Sequence, residues 1–337
     1  MTQDLAAPTL LADQYGRVAT DLRVSLTDRC NLRCQYCMPA EGLDWLPTDE
    51  TLTDDEVVRL IRIGVDHLGI REIRLTGGEP LLRRGLASII GQVTALSPRP
   101  KVSITTNALG LKHTAGALAE AGLDRVNVSL DTVDRDTFAE ITRRDRLNDV
   151  IAGLEAAKAA GLEPVKINAV LMRGVNDEQA PSLVAWCLER GYRLRFIEQM
   201  PLDAQHQWNR DQMITADEIF ALLRPHYTLT PSGRSRGSAP AEEFAIDGGP
   251  ATVGIIASVT RPFCGDCDRV RLTADGQVRN CLFAREESDL RSGLRGGASD
   301  AELAQQWRDA MWIKRPGHGI DDEGFLQPAR PMSAIGG

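Results

Sequence analysis

Nothing in the 337-residue sequence approaches the apolar length that a membrane span needs. The segment Met1–Leu11 lacks a basic stretch followed by a long apolar run, so no signal peptide is expected. The protein is therefore expected in the cytoplasm, where thiols stay reduced. Positive charge is in deficit. The formal net charge of -8 argues against a nucleic-acid binder working by bulk attraction to phosphate. It leaves room for a small anionic ligand in a local basic pocket. There is no internal repeat and no true low-complexity tract. With 42% hydrophobic and 26% charged residues, a chain this long buries a sizeable core without disulfide staples. One large domain, or a large domain with a smaller companion, is expected.

What the chain does have is seven cysteines, six of them in two compact groups. In a reducing compartment these need a purpose other than disulfides.

Between Leu22 and Glu198 one theme repeats: a short apolar, β-branched run, then an amphipathic helical stretch. The expected strands are Leu22–Leu26, Ile73–Thr76, Val102–Thr105, Val126–Leu130, Val165–Val170 and Leu194–Glu198. The expected helices are Thr53–Leu68, Gly85–Leu96, Thr114–Ala121, Asp149–Ala160 and Asp177–Arg190. Thr53 to Glu56 fits a capping box, and Gly161 and Gly191 read as helix stops. Six β–α passes with continuous apolar strands predict a parallel sheet covered by helices, either open or closed into a full or partial barrel. Polar residues fall just after the strands, at Arg29–Cys37, Gly77–Glu79, Thr106–Asn107, Asp131 and Glu198–Met200. That is the end where such proteins build active sites.

Beyond Pro201 the pattern changes. Asp217–Leu223 reads as a helix and Pro231–Pro250 as an exposed loop or loose hairpin. Thr252–Ser258 and Val270–Thr273 read as strands, with Ala274–Gln277 turning into Val278–Leu282. This predicts a smaller α+β region.

The first cysteine group is Cys30-Asn31-Leu32-Arg33-Cys34-Gln35-Tyr36-Cys37. Its spacing lets one short loop wrap three thiolates around an inorganic cluster. A four-iron cluster held by three cysteines keeps one iron open for a small molecule. Structural zinc wants four ligands, and no fourth cysteine or histidine is close. The second group is Cys264, Cys267 and Cys281, again without a fourth ligand nearby. His318 and Cys187 are distant in sequence, and Cys187 lies on an apolar helix face as a buried free thiol would. A second cluster with an open iron is preferred over a zinc knuckle. Arg269 and Arg271 follow on one strand face, and paired guanidinium groups suit a phosphate.

Cys-x-x-x-Cys-x-x-Cys with an aromatic before the last cysteine resembles the signature of radical S-adenosylmethionine enzymes. Thr76-Gly77-Gly78-Glu79-Pro80 is similar to their methionine-binding turn. From the residues alone, its glycines allow close backbone approach to a ligand and its carboxylate can take an ammonium. Two three-cysteine groups, this turn and Asp268-Arg269-Val270-Arg271 together resemble the molybdenum cofactor biosynthesis protein A family, the GTP 3′,8-cyclases. The resemblance runs from about Arg23 to the closing Gly336-Gly337.

The resemblance implies an incomplete (β/α)6 TIM-type barrel, the radical SAM core, closed by a smaller C-terminal α+β region. The corresponding division is 14–235 and 236–337. It implies two [4Fe-4S] clusters, one on Cys30, Cys34 and Cys37 and one on Cys264, Cys267 and Cys281, the latter's open iron binding guanine. It implies an S-adenosyl-L-methionine site lined by Tyr36, Gly78, Ser129 and Met200. GTP contacts are implied for Arg23, Arg74, Thr105, Lys166, Arg269 and Arg271, with Arg195 a further partner. Arg269 and Arg271 are the residues assigned to catalysis. Glu72 stands where some members carry a basic residue, which weakens that side of the triphosphate site. The implied reaction is a lyase-class radical cyclisation: hydrogen removal from C3′ of GTP and attack on guanine C8. A low-potential donor would supply electrons, and cyclic pyranopterin monophosphate synthase would receive the product. The sequence leaves monomer or homodimer open. It also leaves open a peptide-modifying radical enzyme or a non-catalytic zinc or iron–sulfur module.

Overall fold

The structure, a computed structural model, describes residues 10–336. Residues 1–9, most of the segment read for a leader, and Gly337 lie outside the described residues. In chain order the strands are β1 (Asp21–Ser25), β2 (Glu72–Thr76), β3 (Lys101–Thr106), β4 (Arg125–Ser129), β5 (Lys166–Val170) and β6 (Arg193–Ile197). The C-terminal part adds β7 (Leu229–Pro231), β8 (Glu242–Ile246), β9 (Thr252–Ile256), β10 (Arg269–Leu272), β11 (Gln277–Arg279) and β12 (Ser288–Asp289). The helices are α1 (Asp54–Leu68), α2 (Leu86–Thr94), α3 (Leu111–Glu120), α4 (Arg135–Thr142) and α5 (Leu147–Ala159). They continue with α6 (Ala180–Arg190), α7 (Ala216–Leu223), α8 (Arg291–Arg295), α9 (Asp300–Trp312) and α10 (Met332–Ile335).

The twelve strands of the described residues belong to one sheet, in the order β12-β11-β10-β1-β2-β3-β4-β5-β6-β9-β8-β7. The edge strands β12 and β7 do not pair, so the barrel is incomplete. The C-terminal region closes it differently from a separate appendage. It sends β9 parallel beside β6 and β10 parallel beside β1, extending the parallel run at both ends.

The strands are not the uniformly apolar runs expected of a sheet covered on both faces. Leu22, Val24, Ile73, Leu75, Ile104, Val126, Val128, Ile167 and Phe196 are buried and join the helices in one core. Their alternate neighbours are polar: Arg23, Arg74, Thr105, Asn127, Ser129, Lys166, Asn168 and Arg195. Because successive strand residues point to opposite faces, helices cover one face and the other lines a cavity.

Local signals explain most boundaries. In α1 the Thr53 hydroxyl accepts from the Glu56 amide at 3.2 Å, and the Glu56 carboxylate accepts from the Thr53 amide at 2.8 Å. Such a cap is worth about 1 kcal/mol. Gly69 ends the helix at φ 77, a left-handed conformation that glycine adopts without side-chain clash. Four helices were not anticipated, α4, α8, α9 and α10. Of these α9 carries the same signature as α1, with Ser299 and Glu302 capping each other. Part of Pro231–Pro250 is ordered as β8, paired antiparallel with β7 and β9.

Candidate active site

The first cysteine loop leaves the carboxyl end of β1, and Cys30, Cys34 and Cys37 are free thiols lining the central cavity. The loop turns on itself through the amides of Cys37 and Met38, which donate to the Cys34 carbonyl at 2.9 and 3.0 Å. It is clamped from outside by the end of α4. The amides of Arg33 and Gln35 donate to the carbonyls of Thr142 and Ile141, both at 3.0 Å. The Arg143 guanidinium returns the grip, donating to the carbonyls of Arg33 and Met38, each at 3.0 Å. Burial pushes the Cys37 thiol up to about 12 and raises Cys34 and Cys30 as well. A cationic iron core is what makes thiolates favourable in such a place.

The Gly-Gly turn after β2 packs on this loop. A Cβ on Gly77 would lie 2.3 Å from the Thr27 carbonyl oxygen, and one on Gly78 2.3 Å from that of Arg29. The glycines therefore serve backbone-to-backbone contact, in addition to lining the cavity. Glu79 does not face a ligand as anticipated. It is fully buried and accepts from the Thr106 hydroxyl at 2.6 Å and from the amides of Asn107 and Leu81 at 2.7 and 3.0 Å. Burial raises its carboxyl to about 7. Its work is to tie the turn to the end of β3. Asn107, held by this contact, reaches the Asn31 side chain at 2.7 Å and the Cys30 sulfur at 3.8 Å.

Tyr36, Gly78, Ser129 and Met200 all line the same cavity. The Tyr36 hydroxyl donates to Asp131 at 2.8 Å, and Asp131 also accepts from the Val170 amide at 2.9 Å. Sequence reasoning missed Asn168, although the alternation that marks Lys166 marks it too. Its Oδ1 is buried without a partner among the described residues, an acceptor suited to a polar ligand.

Cys264, Cys267 and Cys281 line the cavity opposite. Of the two outlying candidate ligands, Cys187 is buried in the helix core. His318 lines the same cavity, but both its ring nitrogens are engaged, Nε2 with the Ser258 carbonyl at 3.1 Å and Nδ1 with the Ile320 amide at 3.1 Å. Arg17 holds this loop, donating to the Cys264 carbonyl at 2.8 Å. Burial works to raise the Cys267 thiol, but neighbouring Arg269 and Lys314 prevail and bring it down to about 7.

Cations converge between the two cysteine groups. Arg23 stands in register with Arg74 on one side and Arg271 on the other. Arg23, Arg74, Thr105, Arg195, Arg269 and Arg271 line the central cavity. Lys166 lines an adjoining cavity that shares Arg74, Arg195 and Arg269. Arg125, which sequence reasoning missed, also lines it and pairs at 3.4 Å with Glu72. Glu72 therefore sits among the cations as a partner of Arg125. Burial first, then Arg74 and Arg271, holds Arg23 well below its ordinary value. Burial first, then Arg195 and Arg125, depresses Lys166 to about 8; burial, then Arg74 and Arg125, depresses Arg195 to about 9; burial, then Arg269, depresses Arg271 to about 10. The Nε atoms of Arg23, Arg74, Arg125 and Arg195 are buried without partners among the described residues. Such a set favours an oligo-anion that supplies acceptors and relieves repulsion.

The chain end reaches this place. Gly336 abuts β2, where a Cβ would lie 2.6 Å from Thr76 Cγ2. Thr76 and Arg271, which Gly336 contacts, both line the cavity.

The residues present fit the implied groups. Each set of three thiols presents soft donors to a shared cavity, and the cations between them outnumber the carboxylates beside them, Asp21, which pairs with Arg74 at 3.5 Å, and Glu72.

Comparison with known proteins agrees with this geometry. A family model described as the Radical SAM superfamily matches residues 24–187, and one described as Molybdenum Cofactor Synthesis C matches 192–320. A protein named GTP 3′,8-cyclase from Streptomyces coelicolor is 65% identical over 97% of this chain and 96% of its own length. Its namesake in Mycolicibacterium smegmatis is 62% identical over 97% and 92%. Among solved structures, Streptococcus suis SuiB bound to S-adenosylmethionine superposes with a TM-score of 0.60 at 15% identity, covering 90% of this chain and 68% of that one. At that identity the likeness speaks for the fold alone.

Proposed function

This chain belongs to the GTP 3′,8-cyclase family of the radical SAM superfamily, and from that premise we propose how its residues serve the reaction. It is an enzyme of molybdenum-cofactor biosynthesis that converts GTP to (8S)-3′,8-cyclo-7,8-dihydroguanosine 5′-triphosphate. The observation that carries the reading is one cavity lined at once by two three-cysteine groups and a ring of buried, under-partnered cations.

In our reading Cys30, Cys34 and Cys37 hold one [4Fe-4S] cluster and Cys264, Cys267 and Cys281 a second. Tyr36, Gly78, Ser129 and Met200 contact S-adenosylmethionine. When bound, the first cluster and S-adenosylmethionine supply a carbon-centred radical able to remove a ribose hydrogen. The chain's own part is to bind, orient and keep water out. Arg74, Arg195 and Arg269, shared by the two cavities, take the triphosphate with Lys166 of the outer one. Arg23, Arg271 and Thr105, which line the central cavity alone, fix the nucleoside end. Positioning of this kind can lower a barrier by several kcal/mol without a dedicated acid–base pair. The segment 232–241 covers the outer cavity, and Arg269 donates to the Ser238 carbonyl in it at 2.8 Å.

We read 14–235 as the core unit and 236–337 as the unit bearing the second cluster, working in the cytoplasm as monomer or homodimer. A low-potential carrier would deliver electrons, and cyclic pyranopterin monophosphate synthase would take the product. A peptide substrate is disfavoured because it would leave the excess of cations over Asp21 and Glu72 without a phosphate to offset it. A non-catalytic metal module is disfavoured because it has no use for them.

The test is turnover. Dithionite-reduced protein is incubated with S-adenosylmethionine and each nucleoside triphosphate. 5′-Deoxyadenosine release that rises with GTP above the others is expected, and equal release with all four would sink the assignment. Arg269→Ala and Arg271→Ala are expected to keep their iron and lose product.

A further inference from the structure

Lys314 follows α9 and is 2% exposed. Burying an ammonium is costly unless it is well partnered. Its Nζ donates to the Arg269 carbonyl at 3.0 Å, to the Cys267 sulfur at 3.4 Å and to the Cys267 carbonyl at 3.5 Å. These partners all lie within residues 267–269, and one of them is a cysteine assigned to the second cluster. The mechanism above makes no use of it.

The surroundings of the two cysteine groups differ in sign. Carboxylates sit near the first: Asp131 by Cys34, Glu79 by Cys30 and Asp203 by Cys37, with Arg33 the cation near Cys30. Cations sit near the second: Arg269 and Lys314 by Cys267, and Arg17 by Cys264. Adding an electron to a cluster adds negative charge. A nearby cation that also donates a hydrogen bond to a ligand sulfur stabilises the reduced form.

We propose that Lys314 is a positioning residue that raises the reduction potential of the second cluster by holding a buried ammonium against the Cys267 sulfur. This rests on the reading that Cys264, Cys267 and Cys281 hold such a cluster. A merely structural role, bracing the start of β10 through the two carbonyls, would leave the potential where it is.

The experiment is an EPR-monitored redox titration of the full chain with both clusters, using dithionite, for wild type, Lys314→Met, Lys314→Gln and Lys314→Arg. The signal perturbed by S-adenosylmethionine identifies the first cluster, and the one perturbed by GTP the second. Iron and sulfide are measured on the same samples. In Lys314→Met the second midpoint should move to more negative potential while the first stays put. Lys314→Arg, which keeps the charge, should restore most of the shift, and Lys314→Gln, which keeps only a donor, less. Should Lys314→Met lose iron, Gln against Arg carries the comparison. Full iron with an unmoved second midpoint, or equal shifts in both clusters, overturns the proposal. Wild type that shows iron for one cluster only, or zinc in the second group, overturns the underlying reading instead.

Discussion

The Arg271 guanidinium donates a hydrogen bond to the carbonyl of Gly336, which pins the end of the chain to the strand that follows Cys264 and Cys267. Arg271 is 4% exposed, and burial followed by the nearby Arg269 charge already disfavours its protonated form. A carbonyl there offers partial compensation that a passing water would offer less permanently.

Gly336→Ala should therefore slow the enzyme without unloading it. Gly336 has φ 75, and the new methyl would press on Thr76 Cγ2 at 2.6 Å. Left-handed backbone costs a non-glycine residue roughly 1 kcal/mol or more. We expect turnover to fall about tenfold, the equivalent of ~1.4 kcal/mol in the barrier. Product formation measured beside iron content checks this. Unchanged turnover would show that the tail is a bystander.

Arg23→Met should make the ligand-free protein more stable and the liganded protein less so. Arg23 lies between Arg74 and Arg271 in register, and like charges at that spacing repel in a buried site. Removing one relieves the repulsion and lengthens no cavity, since methionine keeps most of the stem. The melting temperature without GTP should rise by about 2–4 °C per kcal/mol gained. The increase on adding GTP should shrink, because that increase reports binding. A lower melting temperature without GTP would mean that Arg23 is held by contacts other than the ligand.

Lys166 gives the site a pH dependence. Burial first, then Arg195, Arg125, Arg74 and Arg193, brings it down to about 8 from 10.5. Its folded value is depressed, so the folded state disfavours the charged form. The stability it contributes is present above 10.5 and lost as pH falls through about 8. GTP reverses the preference, since phosphate favours the ammonium. Affinity for GTP should thus weaken as pH rises through about 8, with proton uptake on binding. Calorimetry in two buffers of different ionisation enthalpy measures that uptake, and Lys166→Met should abolish it.

Arg143→Ala should loosen the first cluster. Its guanidinium donates to the carbonyls of Arg33 and Met38, on either side of Cys34 and Cys37. Hydrogen bonds from a charged donor are worth about 1.5–3 kcal/mol each. Iron should leave the first group faster than in wild type under a chelator challenge, with the second group unaffected. Equal loss from both would point to general destabilisation.

Much of this was legible in the chain. Cys30-x-x-x-Cys34-x-x-Cys37, Gly77-Gly78 and the Arg269/Arg271 alternation are local patterns, and local patterns report local geometry. The six core strands and α1 were readable for the same reason, through period and cap. The α4 clamp was not. Thr142 and Arg143 look like an ordinary helix end, and only the approach of a loop a hundred residues earlier makes them a grip on Cys34. Lys314 likewise carries no signal, for a lone lysine after a helix reads as surface until folding buries it.

The sequence by itself determined which chemistry is possible: two soft-donor triplets, a glycine turn and strands bearing cations on alternate positions. Only the tertiary structure decided that the strands are one-sided, because alternation became visible as an apolar face on helices and a charged face on a cavity. It also decided that Glu79 braces a turn. Side-chain direction, burial and long-range neighbours follow from how the strands are placed beside one another, and that placement joins β1 to β10 and β6 to β9 across distances that no local pattern spans.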